Sequence, residues 1–535
     1  MSQHALHRRQ LLYWLAAGAA GLQLPNRSWA QTKASSPSFG EGIFGLGVAS
    51  GSPTHDSVVL WTRLMPPFVQ PHSGSGSPGV GVRWEVAHDD KFSRIVQTGQ
   101  SLAVAGLAYS VHAEVQGLAP DRWYFYRFIA GDATSVVGRT RTFPAHDAAV
   151  ARLRMAYASC QRWEHGYFSA YRHMAEENLD LVMFLGDYIY EYPRASNAVR
   201  TPPGGWTLTL EDYRQRYATY KSDADLQAMH AACPWLVTWD DHEVQNDYAG
   251  MNVGENGPDV PDFVARRSAA YQAFYEHMPI RASVLTKAVA GLASGAEMRI
   301  YSRARFGRLA MLTMLDARQY KSPQVCTREG KRGSSMVIPV NCPAWNDPGR
   351  SMLGQDQEQW MDAGWNTAQG KSEGWNIIGQ QSLIGQRDWK TGQGQILWND
   401  GWDGYSAART RLTDSARKNN VSNLIVLGGD VHENWVGPIK ADYSQLSSAA
   451  VGVEFCGTSI SSRSGGNGKL AETLAENPHF VFADAERKGY GVVEISPRRI
   501  KTTLRVVSDV TRQDASIDTL AEFSVTSGRP VVERI

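Results

Sequence analysis

The chain has 535 residues, a formal net charge of +1 and 20% charged residues. That length exceeds one small core, so two domains, or one large α/β domain with an appendage, are expected. The near-neutral balance excludes an electrostatic nucleic-acid surface and a charged tail, while 50 Gly, 17 Trp and 21 Tyr describe a loop-rich, aromatic-rich globular chain rather than a disordered or fibrous one.

At the N-terminus, Arg8 and Arg9 precede an apolar stretch from Leu11 to Leu24, and Ser28, Trp29 and Ala30 follow in a small-x-small pattern. This resembles a twin-arginine export signal. It predicts a signal peptide over residues 1–30, export with the twin-arginine translocase as partner, and a periplasmic or secreted mature chain. The apolar core is shorter than the roughly 20 residues a membrane span needs, and no other stretch is apolar enough for one. The cysteine count is five, and an odd number leaves at least one thiol unpaired. Cys326 and Cys342 flank a loop containing Gly, Arg and Pro and are expected to form a disulfide; Cys160 is expected to stay free.

From 44 to 143 the chain shows short alternating runs, "DSVVLWTRL", "VGVRWEVAHD", "YSVHAEVQGL", "WYFYRFIAG" and "RTRTFPA", punctuated by Gly, Pro, Asp and Ser. Strands at this spacing predict a small all-β sandwich over 40–146. "LAPDRWYFYRF" is similar to the corner of fibronectin type III domains, where a Tyr closes a turn before a central strand.

After "PAHDAAVAR" the pattern becomes strand and helix in alternation, which predicts an α/β domain over 152–510 and a C-terminal extension over 511–535. The strands expected are 153–159, 179–186, 235–239, 309–315, 375–379 and 424–429. One helix begins near Leu210, with Thr209 as N-cap and Glu211 and Asp212 in the first turn; another spans 263–277.

What stands after each strand carries the chemistry. The tips read Cys160-Gln161, Asp187 to Tyr190, Asp240-Asp241-His242-Glu243, Asp316-Ala317-Arg318, Gln380-Gln381, and Asp430 to Asn434. Ligands of α/β sheets bind at the carboxyl ends of strands, so these tips are expected to converge on one site. His165, Glu243 and Glu433 read as supporting or surface groups. Trp402, Asp403, Gly404 and Tyr405 read as a loop over the cleft, and Trp239, Trp398 and Trp435 as core or pocket wall.

"GDYIY" and "GGDVHENW" resemble blocks of the binuclear metallophosphoesterases. With "ASCQRWEHGYFSAY", "TWDDHEVQNDY", "LDARQYKS", "MLGQDQEQW" and "WDGYSAAR" they resemble, more narrowly, the PhoD-type alkaline phosphatases, over roughly nine tenths of the chain. The resemblance implies an α/β metallophosphoesterase-like domain of mixed β-sheets flanked by helices, preceded by the Ig/fibronectin type III-like sandwich. It also implies a centre of ferric iron, Fe(III), with calcium, Ca(II). Cys160, Asp187 and Tyr190, the last matching the phenolate of purple acid phosphatases, suit iron by charge. Asp241, Asn246 and Asp430 suit calcium, and His432 suits either. Asp241 stands where the wider family has a ligating Asn.

The activity so implied is hydrolysis of phosphate monoesters at alkaline pH, with phosphodiesterase activity beside it, through direct attack by a metal-activated hydroxide. His242 would protonate the leaving group or bind a phosphoryl oxygen, and Arg318 would either clamp phosphate or pair with Asp316 or Asp240. Two other readings stay open: a diesterase acting on phospholipids or polymer linkages, and an exported binding protein carrying an inactive phosphatase domain.

Overall fold

The computed structural model describes residues 39, 42–65, 79–192, 196–255, 257–285, 297–365, 367–368, 371–372, 374–445 and 447–535. The signal peptide expected over 1–30 lies outside them. Among the described residues no helix is long and apolar enough to cross a membrane.

Two large sheets stack face to face. The first has ten strands, in the order Val532–Arg534, Ile517–Thr526, Arg499–Val507, Gly489–Ile495, Leu153–Ala158, Leu181–Phe184, Trp235–Val237, Val48–Gly51, Val58–Arg63 and Ser110–Val115. The second has seven: Ser302–Phe306, Ala310–Met314, Trp375–Gly379, Leu424–Gly428, Ala450–Cys456, Asn434–Lys440 and Phe482–Asp484. Parallel strands occupy the centre of each sheet. Strands covered on both faces must be apolar on both, which is why "LVMF" at 181–184 is buried throughout.

The period-two alternation divides these side chains between layers. Leu153, Met155, Tyr157, Leu181 and Met183 face the second sheet, meeting Leu312, Met314, Ile377, Ile425 and Leu427. Ala156, Ala158, Val182 and Phe184 face outward, under the helices Ser169–Glu176, Leu210–Lys221 and Phe263–His277. The outer face of the second sheet is covered by Gln355–Asp362 and Ser406–Lys418. Each fully buried Leu, Met or Phe contributes roughly 1.5–3 kcal/mol of transfer free energy. The helix at 210 is held as its sequence implies, by a capping box in which Thr209 and Asp212 bond reciprocally.

The five N-terminal runs are strands. Three further strands escaped the sequence pattern: Val48–Gly51, which is only four residues long, the two-residue Ala133–Thr134, and Ile95–Ala103, a sheet-edge strand whose alternation is polar and exposed. The Tyr124 hydroxyl closes its corner, accepting the Ala119 N–H at 3.0 Å and donating to the Ala119 carbonyl at 3.4 Å.

Neither the sandwich nor the C-terminal segment stands apart from the α/β domain. Val48–Gly51 pairs in parallel with Trp235–Val237 through Gly51 and Trp235, so one sheet of the sandwich continues the ten-stranded sheet of the α/β domain. At the other edge, Ile517–Thr526 and Val532–Arg534 extend the same sheet, which places the segment read as an extension inside the core architecture. The seam is polar and buried. Trp61 Nε1 donates to the Glu276 carbonyl at 3.0 Å, Arg63 Nη1 lies 2.6 Å from His277 Nε2, and His112 Nε2 lies 2.9 Å from the Tyr275 carbonyl. These contacts fix the end of helix Phe263–His277, whose Tyr271 stacks on Trp239 at 4.1 Å. Trp239 is the residue before Asp240, so the sandwich braces a strand tip through that helix.

Candidate metal centre

Three of the six strand tips carry residues with left-handed backbone: Cys160 (φ 59°), Asp187 (φ 56°), and both Asp430 (φ 66°) and His432 (φ 60°). For an L-residue this conformation costs roughly 1–2 kcal/mol. It breaks the strand's alternation just where the side chain must turn toward its neighbours. Gly186 (φ 109°) makes the approach possible, because a Cβ there would stand 2.5 Å from the Cβ of Asp240.

The tips assemble three overlapping groups, each with its ligand atoms within 4.8 Å of one another: Cys160, Asp187 and His432; Asp187, Asp241 and His242; Asp240, Asp241 and Asp430. Asp187 belongs to the first two and Asp241 to the last two, as a bridging carboxylate does. Tyr190 joins the first group: its hydroxyl is 3.0 Å from Asp187 Oδ2, 3.1 Å from His432 Nε2 and 2.7 Å from Ser462 Oγ. His432 donates from Nδ1 to the Arg463 carbonyl at 2.8 Å, which leaves the Nε2 lone pair toward the cleft.

The electrostatics are those of a cation site. Asp187 Oδ1 and Asp240 Oδ2 are buried without a hydrogen-bond partner. Burial and neighbouring carboxylates hold Asp187 and Asp240 well above the usual carboxylate range, and burial with Asp187 raises the Cys160 thiol and the Tyr190 phenol. Burial lifts Asp430 to about 6 against the pull of Arg318, and burial and Lys488 push His432 down to about 3, a neutral imidazole at working pH. Burial also works to raise Asp241, but Arg318 and His242 outweigh it and its carboxyl stays low. A multivalent cation would satisfy the orphaned oxygens and displace the thiol and phenol protons, so the donor set fits the metals that the sequence implies.

Arg318 is not turned toward an open cleft. It is 1% exposed, with Nε donating to Asp240 Oδ1, Nη1 2.7 Å from Asp400 Oδ2, and Nη2 3.8 Å from Asp241 and 4.0 Å from Asp430. Of the two roles open to it, pairing with Asp240 is the one these contacts make. Two tips likewise serve the backbone rather than the centre. Gln381 Nε2 donates to Thr238 Oγ1 and to the carbonyls of Trp239 and Leu315, stitching strand ends together, while Asp316 accepts from Trp239 Nε1 and the N–H groups of Arg318 and Gln319.

Cys160, Asp187, Tyr190, Asp241, His242, Asp430 and His432 are therefore brought together. Asn246 is bound at the edge through its backbone, donating to Glu191 Oε1 at 2.8 Å. Asp240 joins the group although the sequence pattern favours its neighbour; the doubled Asp is its signal. Glu243 is a buried tie: its two oxygens accept the N–H groups of Asp187 (3.1 Å), Tyr188 (2.7 Å) and Asp240 (2.8 Å), joining the second tip to the third. Glu433 pairs with Arg387, and His165 Nδ1 accepts the Arg463 N–H. Trp402 to Tyr405 form a buried 3-10 turn, not an outer loop, with Trp402 Nε1 on Gln380; Trp239 and Trp435 are core. The disulfide between Cys326 and Cys342 is present. The loop it closes reaches the centre where Ser334 Oγ donates to Asp247 Oδ2 at 2.5 Å and the Asp247 N–H donates to Asp241 Oδ2 at 2.6 Å.

The family model described as PhoD-like phosphatase matches residues 155–504, and that of its N-terminal domain matches 29–144. Alkaline phosphatase D of Bacillus subtilis (strain 168) is 43% identical over 519 residues, 95% of this chain and 85% of the relative. A solved structure described as that of PhoD superposes with a TM-score of 0.84 at 42% identity, covering 93% of each chain.

Proposed function

Because the chain belongs to the PhoD-like phosphatase family, we propose that the cleft of strand tips is the active site through which this phosphoric ester hydrolase cleaves phosphate monoesters, with diesters as further substrates. The observation that carries the reading is Asp187, shared between two ligand groups and holding one buried oxygen without a partner. Cys160, Tyr190, Asp187 and His432 would hold ferric iron, since thiolate and phenolate supply the charge a trivalent ion needs. Asp241, Asn246 and Asp430, with Asp240 beside them, would hold calcium. Metals held there supply Lewis acidity toward phosphoryl oxygens and lower the pKa of water.

The chain's own groups do the rest. His242 is held well above its ordinary range: burial works against its charge, but Glu191, Asp187 and Asp241 outweigh it. It therefore carries a proton to give to the leaving oxygen, or binds a phosphoryl oxygen. Arg318 balances the charge of Asp240 and Asp400 and keeps the third tip in place. The N-terminal residues support export by the twin-arginine route, in which the mature enzyme works outside the cytoplasm.

The test is elemental analysis of the purified protein, with its visible spectrum and its turnover of a chromogenic monoester and diester with and without calcium. Iron near one per chain, an absorption band lost in Tyr190→Phe, and calcium-dependent turnover are expected. A protein that binds zinc or no metal and turns over neither ester would overturn the reading.

A further inference from the structure

We propose that Glu191 is the positioning residue for His242, holding the imidazole so that Nε2 meets the scissile ester oxygen; the inference rests on the phosphatase reading above. Glu191 is 0% exposed and follows the "GDYIY" run directly. Its Oε2 lies 2.7 Å from His242 Nδ1, and its Oε1 accepts the Asn246 N–H at 2.8 Å. Both oxygens are thus committed to one turn, which fixes the ring and the backbone that carries it. A carboxylate can only accept, so Nδ1 is the donor to Glu191 and Nε2 is the nitrogen left for substrate.

The residues on either side of Glu191 complete the housing. The Tyr190 ring centroid lies 4.1 Å from that of His242, and the Tyr192 ring centroid 5.7 Å. The backbone between them is anchored, since the Glu191 carbonyl accepts the Thr207 N–H at 2.8 Å and the Tyr190 carbonyl accepts from Arg216. Three consecutive residues therefore line one imidazole. Glu243, adjacent to His242 in sequence, cannot take this part, because its oxygens are occupied by the N–H groups of Asp187, Tyr188 and Asp240.

In the step served, the water oxygen bonds to phosphorus, the P–OR bond breaks, and its electron pair goes to the ester oxygen. That oxygen takes the Nε2 proton and leaves as ROH. The proton of the attacking water passes to solvent, and His242 is reprotonated from solvent, so water and ester become alcohol and inorganic phosphate. An alkoxide leaving group needs the proton; a 4-nitrophenolate, a far weaker base, does not.

The experiment compares wild type, E191Q, H242N and E191Q/H242N on an alkyl phosphate and on 4-nitrophenyl phosphate, with the metal content of each protein. Expected for E191Q is a loss in kcat of about 100-fold on the alkyl ester, a change within about threefold on the aryl ester, and metal content equal to wild type. In the H242N background E191Q should change neither ester further, because the two residues act as one unit. Equal losses on both esters, loss of metal, or an additive loss in the H242N background would each overturn the proposal. If E191Q folds poorly, E191D and E191D/H242N carry the test: an alkyl-selective loss in E191D against wild type, with none further in E191D/H242N against H242N, supports it, and unchanged selectivity in E191D overturns it. A wild type that hydrolyses neither ester would remove the phosphatase reading itself, a result separate from any of these.

Discussion

Removing the metals should leave a protein that loses stability relative to the loaded form as pH rises through the neutral range. In the metal-free protein burial lifts Asp430 from 3.8 to about 6, Glu243 from 4.5 to about 7 and Asp247 from 3.8 to about 8. At these three carboxyls the folded state binds more protons than the unfolded state between about pH 4 and 8, and the stability they contribute, complete below about pH 4, is lost as pH climbs through their folded values. For Asp430 alone the rise from 3.8 to about 6 corresponds to about 3 kcal/mol, at ~1.4 kcal/mol per pH unit. Metal binding requires the deprotonated ligands, so the affinity for metal rises over the same interval. Only the part of the Asp430 shift above pH 5, about one unit, falls between pH 5 and pH 8, so the stability gap between loaded and chelator-stripped protein should widen by at least about 1.4 kcal/mol over that range. Denaturant unfolding of both forms at three pH values measures it. A gap to the loaded form that stays constant or narrows over this range would refute the electrostatic picture of the cleft.

Three further outcomes are expected. Glu243→Gln replaces an acceptor facing the N–H groups of Asp187 and Asp240 by a donor, and should destabilise the fold by roughly 2–4 kcal/mol in denaturant titration. Arg318→Met leaves Asp240 and Asp400 without their buried cation. It should cost roughly 3–5 kcal/mol, more in stripped than in loaded protein, since metal takes over part of the neutralisation. Replacing both Cys326 and Cys342 by Ser opens a loop of sequence separation 16 and should cost about 3 kcal/mol. It should also raise the concentration of calcium needed for half-maximal activity, because that loop holds Asp247 against Asp241.

Much of this architecture was legible because it rests on local pattern. Strand Trp375–Gly379 and helix Phe263–His277 match their expected bounds, and the remaining tip strands differ only by end residues. The polar residues at the tips announced a shared cleft. What escaped depends on three dimensions. No spacing rule separates Asp240 from Asp241, or tells that Glu191 rather than Glu243 reaches His242, since the two carboxylates lie 51 and one residues from it along the chain. Arg318 could be placed only by finding which carboxylates surround it. The continuity of the sandwich with the ten-stranded sheet hinges on one short strand, Val48–Gly51, too brief to carry a pattern of its own.

The left-handed backbone at Cys160, Asp187, Asp430 and His432 bears on how this protein can be improved in the laboratory. At each of these positions glycine would relax the main chain, and at the two aspartates it would also remove charge repulsion. A library sorted for heat resistance alone, in metal-poor medium, is thus drawn toward variants that erase the centre. Sorting must alternate with a screen for turnover, or keep these four codons fixed, if thermal gains are to be harvested elsewhere in the chain.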